Sequence, residues 1–127
     1  TGDGELAEGS NWEAALAAAH YGLDNLVIIN DKNNLQLAGL TREIMNTDPL
    51  ADKWKAFGMT VTECQGNDMS SVVAAIEGLK QEGKPNVIIA NTTKGAGISF
   101  IQGRPEWHHR VPKGEEIALA LEELKDE

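Results

Sequence analysis

Asp3 lies between two glycines in the opening run Gly2-Asp3-Gly4-Glu5, and Asn33 follows thirty residues later in Asn30-Asp31-Lys32-Asn33-Asn34-Leu35-Gln36. A carboxylate, a carboxamide oxygen and a nearby main-chain carbonyl are hard oxygen donors. They suit Mg²⁺ or Ca²⁺, with phosphate oxygens and water completing the shell. Glycines on both sides of Asp3 let a diphosphate approach the main chain closely. Each piece alone is weak, because Asp beside Gly is ordinary turn chemistry. The pair is stronger: the interval holds one helix and one strand, which returns Asn33 to the sheet edge where Asp3 begins.

A second set lies between Lys94 and Lys113, where four cations (Lys94, Arg104, Arg110, Lys113) face one acid, Glu106. With His108 and His109 this predicts an electropositive loop for phosphate-bearing ligands. Taken alone, the stretch reads better as a solvated loop whose cations pair with the acidic remainder of the chain.

The elements that must hold these residues follow from periodicity and punctuation. Helices are expected from about Ser10 to Tyr21, around Leu40 to Met45, from Pro49 to Phe57, from Asp68 or Ser70 to before Gly83, and from about Lys113. The first carries Trp12, Ala15, Leu16, Ala19 and Leu23 on one stripe. The last carries Ile117, Ala120, Leu121 and Leu124, with Glu115 and Glu116 where the helix dipole favours them. The first helix N-terminus, just beyond Gly9, offers N–H groups to an anion. Leu26–Asn30, Met59–Cys64 and Val87–Asn91 read as strands. Near-continuous apolar strands alternating with helices give an α/β fold, a parallel sheet with helices on both faces. Ligands of such sheets bind beyond the carboxyl ends of the strands. That edge gathers the residues after Ile29, the Gln65–Asp68 turn and the loop from Thr92 to Pro112, a length usually reserved for function or disorder.

Composition narrows the field. The chain has 127 residues and a net charge of −9, with 41% hydrophobic and 24% charged residues. That suits one globular domain. The acidic balance argues against nucleic acid or an anionic membrane as partner. The single cysteine, Cys64, excludes an intramolecular disulfide and fits a reducing cytoplasm. The longest apolar runs, such as Leu26 to Ile29, are too short to span a bilayer, and nothing reads as a signal peptide. Thr1 in place of an initiator methionine reads as a cut or the edge of a fragment.

The residues also carry a family resemblance. Gly2-Asp3-Gly4, twenty-eight residues and Asn33 resemble the thiamine-diphosphate motif, and four longer runs extend the match: GDGELAEGSNWEAALAAAHYGLDNL, DKNNLQLAG, TTKGAGISF and WHHRVP. Together they resemble transketolases, most of all the N-terminal subunit of the split, two-polypeptide kind. The resemblance implies that residues 1–127 are the C-terminal portion of a thiamine-diphosphate-binding domain, a partial fold without the segment that leads into Gly-Asp-Gly. It implies Asp3, Asn33 and the Leu35 carbonyl as metal ligands, and Gly2 and Gly4 lining the diphosphate. Glu8 matches a glutamate where cofactor-binding domains meet, and Leu37 an apolar residue beside the cofactor rings. His108 matches a histidine near diphosphate and substrate. Glu8 and His108 are thus the catalytic candidates in this chain. Asn34 stands where many members have Gly, and Gly66-Asn67-Asp68 where many have Gly-His-Asp.

The implied reaction passes a two-carbon ketol unit from a ketose phosphate to an aldose phosphate, as in the pentose phosphate pathway. The glutamate that activates the aminopyrimidine in this family belongs to a pyrimidine-binding domain outside this chain. Turnover is therefore expected only with such a domain or a C-terminal transketolase subunit, in an oligomer. Alternatives are a truncated or degenerate copy that only binds cofactor or partner, a piece of 1-deoxyxylulose-5-phosphate synthase, or a first component of a 2-oxo-acid dehydrogenase. A generic nucleotide-binding domain is least favoured, since G-x-G-x-x-G after a strand and a Walker lysine motif are both absent. On the residues alone, His20 reads as a packing or surface residue, His109 as exposed, Cys64 as a small buried hydrophobe, and Trp12 and Trp54 as core or interface. Glu8 reads as a first-turn carboxylate.

Overall fold

The structure, a computed structural model, describes residues 1–37 and 39–125. Ala38 of the DKNNLQLAG run, and residues 126 and 127 of the expected domain, lie outside the described residues. In chain order the elements are α1 (Gly9–His20), β1 (Val27–Lys32), β2 (Leu35–Gln36), β3 (Gly39–Leu40), α2 (Thr41–Ile44), α3 (Leu50–Ala56), β4 (Thr60–Gln65), α4 (Met69–Glu77), β5 (Asn86–Asn91) and α5 (Glu115–Glu123). Short 3-10 turns cover Glu5–Ala7 and Pro105–His108.

The three long strands form a parallel sheet in the order β1-β5-β4. The central strand β5 is buried from Asn86 to Ala90. Its alternating side chains feed two cores. Val87 and Ile89 pack with Leu6, Ala15, Ala18, Leu50 and Trp54 under α1 and α3, whereas Ile88 and Ala90 pack with Cys64 and Ala75 under α4. Helices therefore cover both faces, as the α/β reading predicts. Trp12 lies against Trp54 at 4.8 Å and Phe57 at 5.3 Å between ring centroids, contacts each worth about 0.5–1.5 kcal/mol beyond area burial.

The side-chain pattern departs from expectation in three places. The inner face of α1 is made by Ala15 and Ala18, and Leu16 is turned to solvent. Ala15 and Ala18 belong to the core that Val87 and Ile89 feed, and Leu16 lies outside it. The edge strands are not buried on both faces: Val27 and Ile29 of β1 are exposed. On α5 only Ala120 is buried, and Ile117, Leu121 and Leu124 are exposed.

The amino-terminal residues run beside β1 as a fourth, short parallel rung. The Thr1 amine donates to the Ile29 carbonyl at 2.8 Å, the Asp31 N–H donates to the Thr1 carbonyl at 2.8 Å, and Gly2 bridges Asp31. This rung delivers Asp3 to the carboxyl end of β1. Among the described residues, no helix is long and apolar enough to cross a membrane.

Candidate cofactor and metal site

Asp3 is only 3% exposed. Its Oδ2 accepts the main-chain N–H groups of Asn33 at 2.8 Å and Asn34 at 2.6 Å, just beyond the end of β1. Oδ1 has no protein hydrogen bond among the described residues. Burial raises the Asp3 carboxyl above its usual range, against the lowering effect of the two N–H groups and of Lys32. An anion held there without a paired side chain is a place for a cation.

The turn that meets Asp3 is shaped by its own side chains. Asn33 Oδ1 accepts the Leu35 N–H at 2.9 Å, an Asx turn. Asn34 has φ of 61°, and the Thr41 N–H donates to its carbonyl at 3.0 Å. Asn is the side chain that best tolerates this left-handed region after Gly. Asn34 thus holds a turn conformation that glycine adopts most readily. Leu37 has φ of 50° and is 61% exposed. A bulky residue held so is strained, and such residues cluster at ligand sites.

A cavity of about 510 Å³ opens at this edge. Gly2, Asp3, Gly4, Glu8, Asn33, Leu35, Leu37 and His108 all line it. Every site residue expected from the sequence is thus brought to one place. Four more residues line it beyond the expected site residues: Glu5, Asp31, Gln36 and, from the expected electropositive loop, Lys94. Gln36 lies within the Asn30–Gln36 run, and Lys94 was legible only as one cation among several. A neighbouring chamber of about 420 Å³ shares Leu37 and His108 and adds Pro105, Glu106 and His109.

The electropositive loop is sparser than its sequence suggests. Only Lys94 of its four cations lines the cavity. The Lys94 ammonium lies 3.5 Å from His108 Nδ1. Arg110 is engaged elsewhere: its guanidinium lies 4.2 Å over the Trp107 ring and pairs with Glu116. The Lys113 N–H and Arg110 together hold the Glu116 carboxyl below its usual range. Arg110 therefore anchors the loop to α5. The start of α1 contributes only Glu8 to the lining; Gly9, Ser10 and Asn11 do not reach it.

The residues present fit a metal-bound diphosphate. Among the described residues, no group of three or more His, Cys, Asp or Glu side chains could hold a metal by itself. The donors at hand are one carboxylate and neutral amide and main-chain oxygens, a set that leaves positions for ligand oxygens. Four carboxylates (Asp3, Glu5, Glu8, Asp31) line the cavity against one ammonium. A diphosphate would be repelled there unless a divalent cation entered with it. Gln36 Oε1 is buried without a partner in the wall, and a Cβ on Gly4 would lie 3.2 Å from Gln36 Cγ. The glycine therefore leaves the main chain open beside an unused acceptor.

Comparison with known proteins places this geometry in context. Residues 1–125 match the family model described as "Transketolase, thiamine diphosphate binding domain". Over all 127 of its residues the chain is 74% identical to one of the subunits of the apulose-4-phosphate transketolase of Actinobacillus succinogenes, and it spans 46% of that polypeptide. It is 42% identical over 99% of its length to a 6-deoxy-6-sulfo-D-fructose transketolase subunit of a Clostridium species, again spanning 46% of that protein. Among solved structures, the transketolase of Campylobacter jejuni superposes with a TM-score of 0.87 at 33% identity, over 95% of this chain and 19% of that one. The chain spans about half the length of the curated subunits it matches.

Proposed function

The chain belongs to the transketolase family, within its thiamine-diphosphate-binding domain, and on that premise we propose that it is the diphosphate- and metal-binding portion of a two-subunit transketolase. The reaction is transfer of a two-carbon ketol unit from a ketose phosphate to an aldose phosphate. The observation that carries this reading is the Asp3 carboxylate held by the Asn33 and Asn34 N–H groups in the wall of one cavity that eight expected residues share.

Asp3, Asn33 and the Leu35 carbonyl hold Mg²⁺, with Ca²⁺ as a substitute, and the main chain at Gly2 and Gly4 faces the diphosphate. Lys94 adds the positive charge that the other lining side chains lack. Leu37, its apolar side chain exposed, walls the ring side of the cofactor. Thiamine diphosphate, when bound, supplies a nucleophilic carbon and an electron sink for carbon–carbon cleavage. An ammonium has only hydrogens to offer, so Lys94 casts His108 Nδ1 as the acceptor and leaves Nε2–H to donate to a substrate or phosphate oxygen. Glu8 is exposed and makes no capping hydrogen bond at α1. Its carboxylate is free to meet a pyrimidine-binding domain or C-terminal transketolase subunit. That partner completes the site, in an oligomer, and residues 1–127 alone do not turn over. The cytoplasm is the proposed compartment, consistent with the single buried Cys64.

The relative at 74% identity is named for apulose 4-phosphate, which makes that ketose the first donor to try, against xylulose 5-phosphate for the pentose phosphate pathway. Calorimetry with thiamine diphosphate and Mg²⁺, on the assembled protein and its Asp3→Ala variant, tests the binding claim. Metal-dependent binding lost in the variant supports the reading. Equal, metal-independent binding by both would defeat it. Ketol transfer with the two donors then decides the substrate.

A further inference from the structure

We propose that Asn67, which lines neither chamber, is a positioning residue for the site: its side-chain carbonyl fixes the root of the loop that carries Lys94 and His108. This rests on the reading that the cavity takes thiamine diphosphate with a divalent cation.

The geometry begins with the sheet. β4 and β5 are neighbours, and Gln65 pairs with Asn91 at their carboxyl ends. The turn after β4 and the loop after β5 therefore leave the sheet side by side. They touch at Gly66, whose N–H donates to the Asn91 carbonyl at 2.8 Å. A Cβ there would lie 2.4 Å from Thr92 Cγ2 and 2.9 Å from Ala90 Cβ. Only glycine permits this approach. The approach brings Asn67 Oδ1 to 2.6 Å from the Thr93 nitrogen, whose N–H it accepts.

Two anchors then hold consecutive residues from opposite sides. Thr92 is tied to the β1 side, its N–H donating to the Lys32 carbonyl at 3.0 Å and its hydroxyl bonding to the Asp31 carboxylate. Thr93 is tied to the β4 side by Asn67. Lys94 is the next residue, and its carbonyl accepts the Gly103 N–H at 2.8 Å. That bond closes the loop and leads through Arg104 into the Pro105–His108 turn. The Thr93 anchor thus sets the main chain from which the Lys94 ammonium reaches the cavity, and it does so without touching a ligand. An exposed residue in this turn has no burial to satisfy, so its contribution lies in the acceptor it provides.

The test uses the full-length protein assembled with its partner subunit, in wild-type form and as Asn67→Ala and Asn67→Asp. Thiamine diphosphate affinity at saturating Mg²⁺ is measured by calorimetry, and exchange of the Thr93 amide proton by NMR or mass spectrometry. Asn67→Ala removes the acceptor, and the expected result is an affinity loss of about five- to tenfold, the size of one hydrogen bond. Thr93 exchange should quicken while the β5 amides stay protected. Asn67→Asp keeps an acceptor and should restore both readouts. Wild-type affinity in the alanine variant would overturn the proposal, as would equal losses in the alanine and aspartate variants. Wild-type protein that binds no thiamine diphosphate would instead overturn the cofactor reading, leaving the Thr93 exchange result to stand separately.

Discussion

Asp3 and Asn33, thirty positions apart in the chain, meet with Asp3 Oδ2 2.8 Å from the Asn33 main-chain nitrogen. The contact joins the first rung beside β1 to the turn that leaves β1. It also places a buried carboxylate where burial raises its proton affinity. A metal ion would reverse that effect, so the site is built at a cost to the metal-free fold.

That cost is measurable. Asp3 has its carboxyl pushed above the ordinary value of 3.8 in the fold, so the folded state holds the proton more tightly than the unfolded chain. Its contribution to stability therefore falls as pH rises from 3.8 through the raised value, and the penalty is complete above it. At neutral pH and without metal, Asp3→Asn should be more stable than wild type. Mg²⁺ with thiamine diphosphate should raise the melting temperature of wild type and leave the variant unmoved. Thermal unfolding with and without both ligands checks this.

Lys94 is the one lysine or arginine among the lining residues of the 510 Å³ cavity. Lys94→Met keeps the stem and removes the charge. Thiamine diphosphate affinity should fall about ten- to a hundredfold, the range for a lost charge-assisted hydrogen bond. The salt dependence of binding should flatten with it. Calorimetry at two ionic strengths reads both effects.

Asn34 carries its positive φ of 61° outside the cavity wall. Asn34→Gly should leave stability unchanged or slightly improved. Asn34→Val should cost about 1–2 kcal/mol, the penalty of a left-handed conformation for an ordinary side chain. Urea unfolding of the three proteins gives the comparison.

Cys64 is buried beneath α4, and burial pushes its thiol up. The thiolate fraction at neutral pH is therefore smaller than in a free cysteine. Alkylation of the native protein at neutral pH should be slow and should accelerate once urea opens the fold. Rapid native labelling would contradict the packing described under α4.

The sequence made the architecture readable where pattern and chemistry coincide. Ile88 and Ile89 alternate between two cores in a run with no polar interruption, and Gly2-Asp3-Gly4 with Asn33 marked both ends of the site. Other features need three-dimensional neighbours. Leu16 and Ala18 lie two positions apart on α1, and only the packed structure shows that the alanine faces the core. The sequence leaves open whether Arg110 faces a ligand or pairs with an acid, and the structure shows Trp107 and Glu116 holding it. Lys94 and Gln36 are recognised as cavity residues only once the strand ends and the loop after β5 are brought together. No local signal marks the positive φ of Leu37, since leucine ordinarily avoids that region.

The most direct measurement is a Mn²⁺ titration followed by electron paramagnetic resonance, on the complex with its partner and with thiamine diphosphate present. One tightly bound Mn²⁺ per chain is expected in wild type, with binding abolished in Asp3→Ala and strongly weakened in Asn33→Ala. Undiminished Mn²⁺ binding in both variants would show that these two residues do not share a cation, and the account of the site would be wrong.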